Sequence, residues 1–135
     1  MNKVCASLGL LCLGLLLISC SGSVAPEERL SKAREHYVSG EYAAARIELL
    51  NAARENPQNA DIRLELSKLT LALGDPATSI KEARRALEFG KSEPDVYPYL
   101  LRALYLNGEF DELLDATNAV GQSSNSPYEA ELMAY

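Results

Sequence analysis

The sequence has no tryptophan, two phenylalanines and one histidine among its 135 residues. With so few large rings, the core is expected to be aliphatic, with tyrosine supplying the bulkier side chains. An excess of basic residues is also missing, because 13 lysines and arginines stand against 19 acids, for a formal charge of −6. A nucleic-acid-binding protein normally carries a basic face, so this balance argues against that class.

The residue sets that catalysis usually needs are missing as well. The sequence has no glycine-rich phosphate loop, no H-E-x-x-H motif and no serine, histidine and acid set with a plausible geometry. His36 is more typical of a packed or surface residue than of a base or a ligand. Asp111, Glu112 and Asp115 could attract a cation, but an acidic, solvated helix start is the commoner meaning. We therefore expect no enzyme, no cofactor and no metal site.

All three cysteines, Cys5, Cys12 and Cys20, lie near the start of the chain. A basic start is followed by an apolar run over residues 4–18, which is too short for a membrane-spanning helix and is typical of a signal peptide. The run ends in Leu17-Ile18-Ser19-Cys20, which resembles the bacterial lipobox. That resemblance implies cleavage before Cys20 and acylation of this residue. The alternative is an ordinary secretory signal that happens to contain a cysteine.

The lipobox interpretation divides the start of the chain into residues 1–19, a lipoprotein signal peptide, and residues 20–26, the lipidated cysteine and a tether. Two or more acyl chains give a stable membrane anchor. With Cys20 acylated, the mature chain would have no disulfide. By resemblance to other lipoproteins, serine at position 21 implies sorting to the outer membrane, so we expect the protein on the periplasmic face of the cell envelope.

A glycine recurs at a constant interval, at positions 40, 74 and 108. An acid and then a ring or an imino acid follow it, and Ala or Val stands twelve positions after the glycine. A period of about 34 residues, with a glycine between two helical segments, is the signature of the tetratricopeptide repeat. The sequence therefore predicts an all-α solenoid of antiparallel helix pairs, wound as a right-handed superhelix. The pattern consists of Gly40-Glu41-Tyr42, Gly74-Asp75-Pro76 and Gly108-Glu109-Phe110, followed by Ala52, Ala86 and Val120.

The glycines and the small residues are interpreted as packing residues. Glycine can end a helix in the left-handed conformation because it has no Cβ, and the acid that follows can cap the next helix and meet its dipole. Small side chains at Ala45, Ser79, Ala52 and Ala86 allow paired helices to approach closely. Pro57 marks the turn between the first two units.

Three repeats are predicted over residues 27–127. The first helix of each unit, helix A, is expected over residues 27–38, 61–72 and 95–106, and the second, helix B, over 42–55, 76–89 and 110–120. Pro98 and Thr117 depart from the usual pattern of the third unit. Residues 128–135 place Tyr128, Leu132 and Tyr135 at helical spacing, as the start of a fourth repeat or a capping helix, and the apolar ending favours an array that continues.

In tetratricopeptide arrays the helices A line a concave groove. The ninth position of every unit is basic, and the twelfth is Tyr or Leu on the same side of the helix. Such a ladder could bind a carboxylate, an extended peptide or an acidic glycan through charge-assisted hydrogen bonds. Alternatively, each base pairs with the acid at the second position of the next unit and only joins the repeats. The columns are Arg34, Lys68 and Arg102; Tyr37, Leu71 and Tyr105; and Glu27, Asp61 and Asp95.

The lipobox and residues 31–90 together resemble the start of the tetratricopeptide-repeat lipoprotein of the PEP-CTERM/exosortase system. The resemblance implies an envelope-anchored scaffold that holds a protein partner and is associated with protein sorting and exopolysaccharide production. A chaperone-tail receptor is not expected, because Leu30 and Arg34 occupy the fifth and ninth positions of the first unit and do not reproduce the lysine and asparagine clamp of such receptors. Two alternatives remain open: an envelope assembly lipoprotein of the pilotin or outer-membrane assembly type, and a truncated gene product.

Overall fold

A computed structural model describes residues 25–122 of the chain, and the side chains of residues 25–118. This range folds into six α-helices and contains no β-strand, which confirms the predicted all-α class. The predicted helix bounds agree closely with the observed ones. The helices are α1 Pro26–Val38, α2 Tyr42–Glu55, α3 Ala60–Ala72, α4 Pro76–Glu88, α5 Glu93–Asn107 and α6 Phe110–Gln122.

The helices pack as consecutive hairpins. Residues 39–41, 73–75 and 108–109 form the turns inside the hairpins, and connections this short force the joined helices to run antiparallel. Each hairpin packs on the next through α2 with α3 and through α4 with α5. Further contacts of α1 with α3 and of α3 with α5 place the odd-numbered helices side by side in one layer.

Each hairpin turn is built around a glycine with a positive φ angle. Gly40, Gly74 and Gly108 have φ angles of 76°, 76° and 78°, which L-residues with a side chain rarely adopt. The residue after each glycine donates its N–H to the carbonyl five positions earlier, and this hydrogen bond closes the helix end. The three bonds run from Glu41 to His36, from Asp75 to Thr70 and from Glu109 to Leu104.

The expected capping by the acid after the glycine holds at one turn and is wrong at another. The Asp75 carboxylate accepts the N–H of Thr78 at 3.0 Å and caps α4. Glu41 makes no capping hydrogen bond to α2, and its carboxylate contacts Nδ1 of His36 instead. The physical reason is length: the short aspartate places its oxygen above the first turn, whereas glutamate reaches past it.

The core consists of two aliphatic clusters, one between each pair of neighbouring hairpins. Four small residues, Ala45, Ala52, Ser79 and Ala86, are fully buried in α2 and α4. Ser67 and Ser79 also form a buried hydrogen bond between α3 and α4, with their Oγ atoms 3.0 Å apart. These short side chains let the helix backbones approach closely.

Helix α5 runs through Pro98 without ending there. Pro98 is in the second turn of α5 and has no N–H to donate to the carbonyl of Pro94, four positions earlier.

Pro57 lies in the turn between α2 and α3, where its carbonyl accepts two hydrogen bonds from the guanidinium of Arg63, at 3.0 and 2.6 Å. The predicted signal peptide, Cys20 and residues 128–135 lie outside the described residues.

Candidate functional site

A groove of about 340 Å³ lies on the layer of odd-numbered helices, between α3 and α5. Arg34 reaches its edge from α1, and Lys91 contributes from the connection before α5. Most of the lining side chains are charged, with three cations and three carboxylates. The lining residues are Arg34, Lys68 and Lys91; Asp61, Glu65 and Asp95; and Leu64, Pro94, Pro98 and Tyr99.

The first charged cluster in the groove is centred on Glu65. Its Oε1 atom accepts a hydrogen bond from Nε of Arg34 at 3.0 Å and another from Nζ of Lys68 at 3.2 Å. The Lys68 ammonium also lies 5.1 Å from the centre of the Tyr99 ring, which is within range of a cation–π interaction. Glu65 therefore holds cations from two hairpins, and Tyr99 from the third hairpin covers one of them.

The second charged cluster joins α3 to α5 through Lys91. Its Nζ atom lies 2.8 Å from the Asp61 carboxylate and 3.4 Å from that of Asp95. The hydrogen bond to Asp61 raises the pKa of Lys91 above its usual range. The pKa of Asp95 is lowered first by its hydrogen bond from Ser92 and then by Lys91, with a smaller contribution from Lys68.

Two of the three residues in the predicted basic column line the groove. These are Arg34 and Lys68. Arg102 is exposed on α5, one helical turn beyond Tyr99 and therefore on the same side of the helix. Two cations of this column, Arg34 and Lys68, thus share one carboxylate, that of Glu65, although the chain as a whole is acidic.

The tyrosines of the twelfth position pack mainly across the hairpin turns. The rings of Tyr37 and Tyr42 have centroids 5.5 Å apart, and those of Tyr105 and Phe110 are 6.1 Å apart. Tyr105 is 62% exposed and does not line the groove. Burial raises the pKa of Tyr37, as do Tyr42, Tyr99 and Glu65 with smaller contributions, while Arg102 opposes them.

The expected pairing of each base with the acid at the second position of the next unit is wrong for Arg34 and Lys68. Arg34 does reach the next hairpin, but it pairs with Glu65. Lys68 pairs with Glu65 of its own helix. Asp61 lies one turn from Glu65, towards the start of α3 and close to Lys91. The second-position acids Asp61 and Asp95 therefore both pair with Lys91, in the connection between the second and third hairpins.

Sequence reasoning missed the charged and aromatic groove residues Glu65, Lys91 and Tyr99. Glu65 and Tyr99 share the sixth position of their units, where the first unit has Ser31. Because these three side chains differ in chemistry, the sixth position does not stand out as a column. It lies one helical turn before the basic column, and a survey of the whole helix face would have found it.

Neither a protein-family model nor a curated protein sequence matches this chain. Within residues 25–122, no helix is long and apolar enough to cross a membrane. The described residues also contain no group of three or more His, Cys, Asp or Glu side chains placed to hold a metal ion.

Proposed function

We propose that this protein is a tetratricopeptide-repeat scaffold that binds a protein partner in the groove on its odd-numbered helices. The observation that carries the proposal is the charged and aromatic surface shared by the three hairpins, with Arg34, Lys68 and Tyr99 contributed by different ones. Such a surface offers charge-assisted hydrogen bonds to a segment that lies across the hairpins.

The repeat assignment is supported by contacts that recur at the sequence period. The three turn glycines have nearly the same φ angle, at 76°, 76° and 78°. The salt bridge between Arg29 and Glu48 recurs one period later between Arg63 and Glu82. Equal turns and equal contacts at equal intervals are the properties of stacked structural repeats, in which each unit contacts its neighbours.

The proposed scaffold is anchored through acylated Cys20 to the periplasmic face of the outer membrane. The lipobox supports the anchor, and the resemblance of residues 31–90 supports a link to PEP-CTERM/exosortase protein sorting and exopolysaccharide production. Genes for an exosortase and for glycan synthesis next to the coding sequence would support this link. Genes for a pilus or for barrel assembly in their place would favour the assembly lipoprotein.

The groove can be tested by crosslinking in intact envelopes followed by mass spectrometry. A photoreactive amino acid at Tyr99 is expected to capture a partner, and replacing Arg34, Lys68 and Arg102 together by Glu is expected to abolish that capture. The matched control replaces Arg46, Arg54 and Lys81 by Glu, because these exposed cations lie on α2 and α4, outside the groove. It changes the net charge equally and should leave capture intact.

Circular dichroism must show that both triple variants keep their helices. If capture persists in the folded groove variant, the basic column does not bind the partner. If capture is lost in both variants alike, it depends on net charge and not on this surface. Either result would overturn the groove as the partner site.

A further inference from the structure

The carboxylate of Glu65 lies between two cations of the groove. Its Oε1 atom accepts hydrogen bonds from both Arg34 and Lys68. Its side chain is 13% exposed, whereas that of Arg34 is 52% exposed. Glu65 is therefore the inner member of the cluster, and Arg34 is the member that meets solvent.

The contact between Arg34 and Glu65 recurs one period later without a carboxylate. There Lys68 lies 5.1 Å from the centre of the Tyr99 ring, and Tyr99 is the equivalent of Glu65 in the third unit. The salt bridge of Arg63 with Glu82, by contrast, has an ionic counterpart in Arg29 and Glu48. Because a neutral ring makes the equivalent contact in the third unit, the contact that Glu65 makes between hairpins does not depend on a carboxylate.

Arg34 keeps binding capacity beyond its contact with Glu65. Within the described part of the chain it donates through Nε, to a single carboxylate oxygen. A guanidinium binds a carboxylate best through two parallel N–H donors, so this single contact leaves its Nη groups to a ligand. Lys68, held near Tyr99, supplies a second cation to the same place.

We propose that Glu65 is an internal stand-in for a ligand carboxylate, and that the groove binds an extended peptide through one acidic side chain that displaces Glu65 from Arg34 and Lys68. This inference rests on the proposed function and specifies its ligand. Displaced Glu65 turns toward solvent, where its charge is hydrated. Binding therefore exchanges one charged pair for another, which makes the interaction selective for acidic segments and keeps it reversible.

The remaining carboxylates of the groove favour a peptide over an acidic glycan. Asp61 and Asp95 lie beside the cluster and share the ammonium of Lys91. A polymer with a charge on every second or third unit would place further carboxylates against these two, and like charges repel. A peptide with one acid brings neutral neighbours and backbone N–H groups, which can donate to Asp61 and Asp95.

Fluorescence anisotropy on the purified chain tests the proposal. The probes are two matched pools of capped peptides with random uncharged neighbours around a fixed central Glu or a fixed central Gln. Replacing Glu65 with Gln is expected to lower the Kd for the Glu pool about tenfold, because the neutral amide competes less well for charged donors. Glu88→Gln, at an exposed position on α4, is the control and should leave the Kd unchanged.

Each alternative result identifies what failed. An unchanged Kd for Glu65→Gln overturns the stand-in role, while the proposed function survives if the Arg34, Lys68 and Arg102 charge reversal still abolishes crosslinking. Equal binding of the Glu and Gln pools, or no binding of either, overturns carboxylate recognition. Binding of an oligoglucuronate to Glu65→Gln in preference to the Glu pool shows that the ligand is an acidic glycan and overturns the peptide.

Discussion

Arg63 and Glu82 form a salt bridge between α3 and α4 that is almost closed to solvent. Nη1 and Oε2 are 3.0 Å apart, and the two side chains are 12% and 9% exposed. In the preceding hairpin, Arg29 and Glu48 form the equivalent pair. The third hairpin has Tyr97 and Ala116 at these positions, and both pack against the apolar core. The same position pair is thus a salt bridge in the first two hairpins and apolar in the third.

Replacing Glu82 with Ala should destabilise the fold by about 3 kcal/mol, because the largely enclosed Arg63 guanidinium loses its carboxylate and keeps only its hydrogen bonds to the Pro57 carbonyl. Replacing both residues, Arg63→Tyr with Glu82→Ala, transfers the apolar pair of the third hairpin. The double variant should recover most of the lost stability, since a well-packed apolar pair can substitute for a buried ion pair. Urea denaturation followed by circular dichroism measures both changes.

Glu48→Ala is the comparison for Glu82→Ala, because it breaks the equivalent salt bridge in the first hairpin. Its salt bridge with Arg29 is more exposed, with side chains at 18% and 23%, and Arg29 keeps a second carboxylate, that of Glu55, at 3.2 Å. A smaller loss than that of Glu82→Ala is expected. If the double variant proves less stable than Glu82→Ala alone, the two positions are not interchangeable between hairpins.

The buried hydroxyl pair of Ser67 and Ser79 allows a second test in which the residues of one repeat replace those of another. Ser79 donates to the carbonyl of Ser67 at 2.9 Å, in addition to the contact between the two hydroxyls. Ser79→Ala should cost about 1 kcal/mol, because it leaves the Ser67 hydroxyl with fewer partners in a closed interface. Changing both to Ala recreates the Ala33 and Ala45 pair of the first hairpin, which is also buried.

The double change, Ser67→Ala with Ser79→Ala, is expected to be closer to wild type than Ser79→Ala alone. Removing both hydroxyls leaves no unsatisfied polar group, and apolar pairs of similar shape are nearly neutral replacements. Thermal denaturation of wild type, Ser67→Ala, Ser79→Ala and the double variant measures the coupling between the two sites. Additive losses would show that the two hydroxyls act independently.

The sequence predicted the helices well because their boundaries are set by local chemistry. Gly74 ends α3 through its positive φ angle, and Asp75 begins α4 by capping it. Both effects act over a short stretch of chain and are visible in the sequence. Pro98 departs from the usual repeat pattern but does not end α5, because it lies close to the start of the helix.

The groove was predicted only in part because its ion pairs depend on which side chains reach each other. The period identified Arg34 and Lys68 as neighbours on one surface. Their partner Glu65 lies far from Arg34 in the sequence, in the next hairpin, and belongs to a position with no common chemistry. The period likewise gave no hint of Lys91, since it lies in a connection whose first counterpart is Pro57.

Asp75 should make stability depend on pH. Hydrogen bonds from the side chain and then from the backbone of Thr78 lower the pKa of Asp75, so its charged form is favoured in the folded state. This contribution is present above the pKa of the unfolded chain and is lost as the pH falls through the lower, folded pKa. Asn caps helices about as well as Asp but carries no charge.

The melting temperatures of wild type and Asp75→Asn should therefore differ at neutral pH, with wild type higher, and converge in acid. Glu28 and Asp95, whose pKa values are also lowered, titrate in both proteins and cancel in the difference. Melting curves across the acidic range measure it. A difference that persists unchanged below the folded pKa would mean that the aspartate acts through packing and not through its charge.

Cys20 should decide whether the protein stays with the membrane. Two or more acyl chains hold a protein firmly at a bilayer, so wild type is expected to sediment with membranes after an alkaline wash. Cys20→Ser removes the acylated residue and should release the protein to the soluble fraction, with loss of labelling by radioactive palmitate. Cys12→Ser, inside the predicted signal peptide, is the matched control and should stay membrane-bound and labelled. If Cys20→Ser still sediments with membranes, something other than the lipid holds the protein there. If wild type is itself soluble and unlabelled, the signal peptide is an ordinary secretory one.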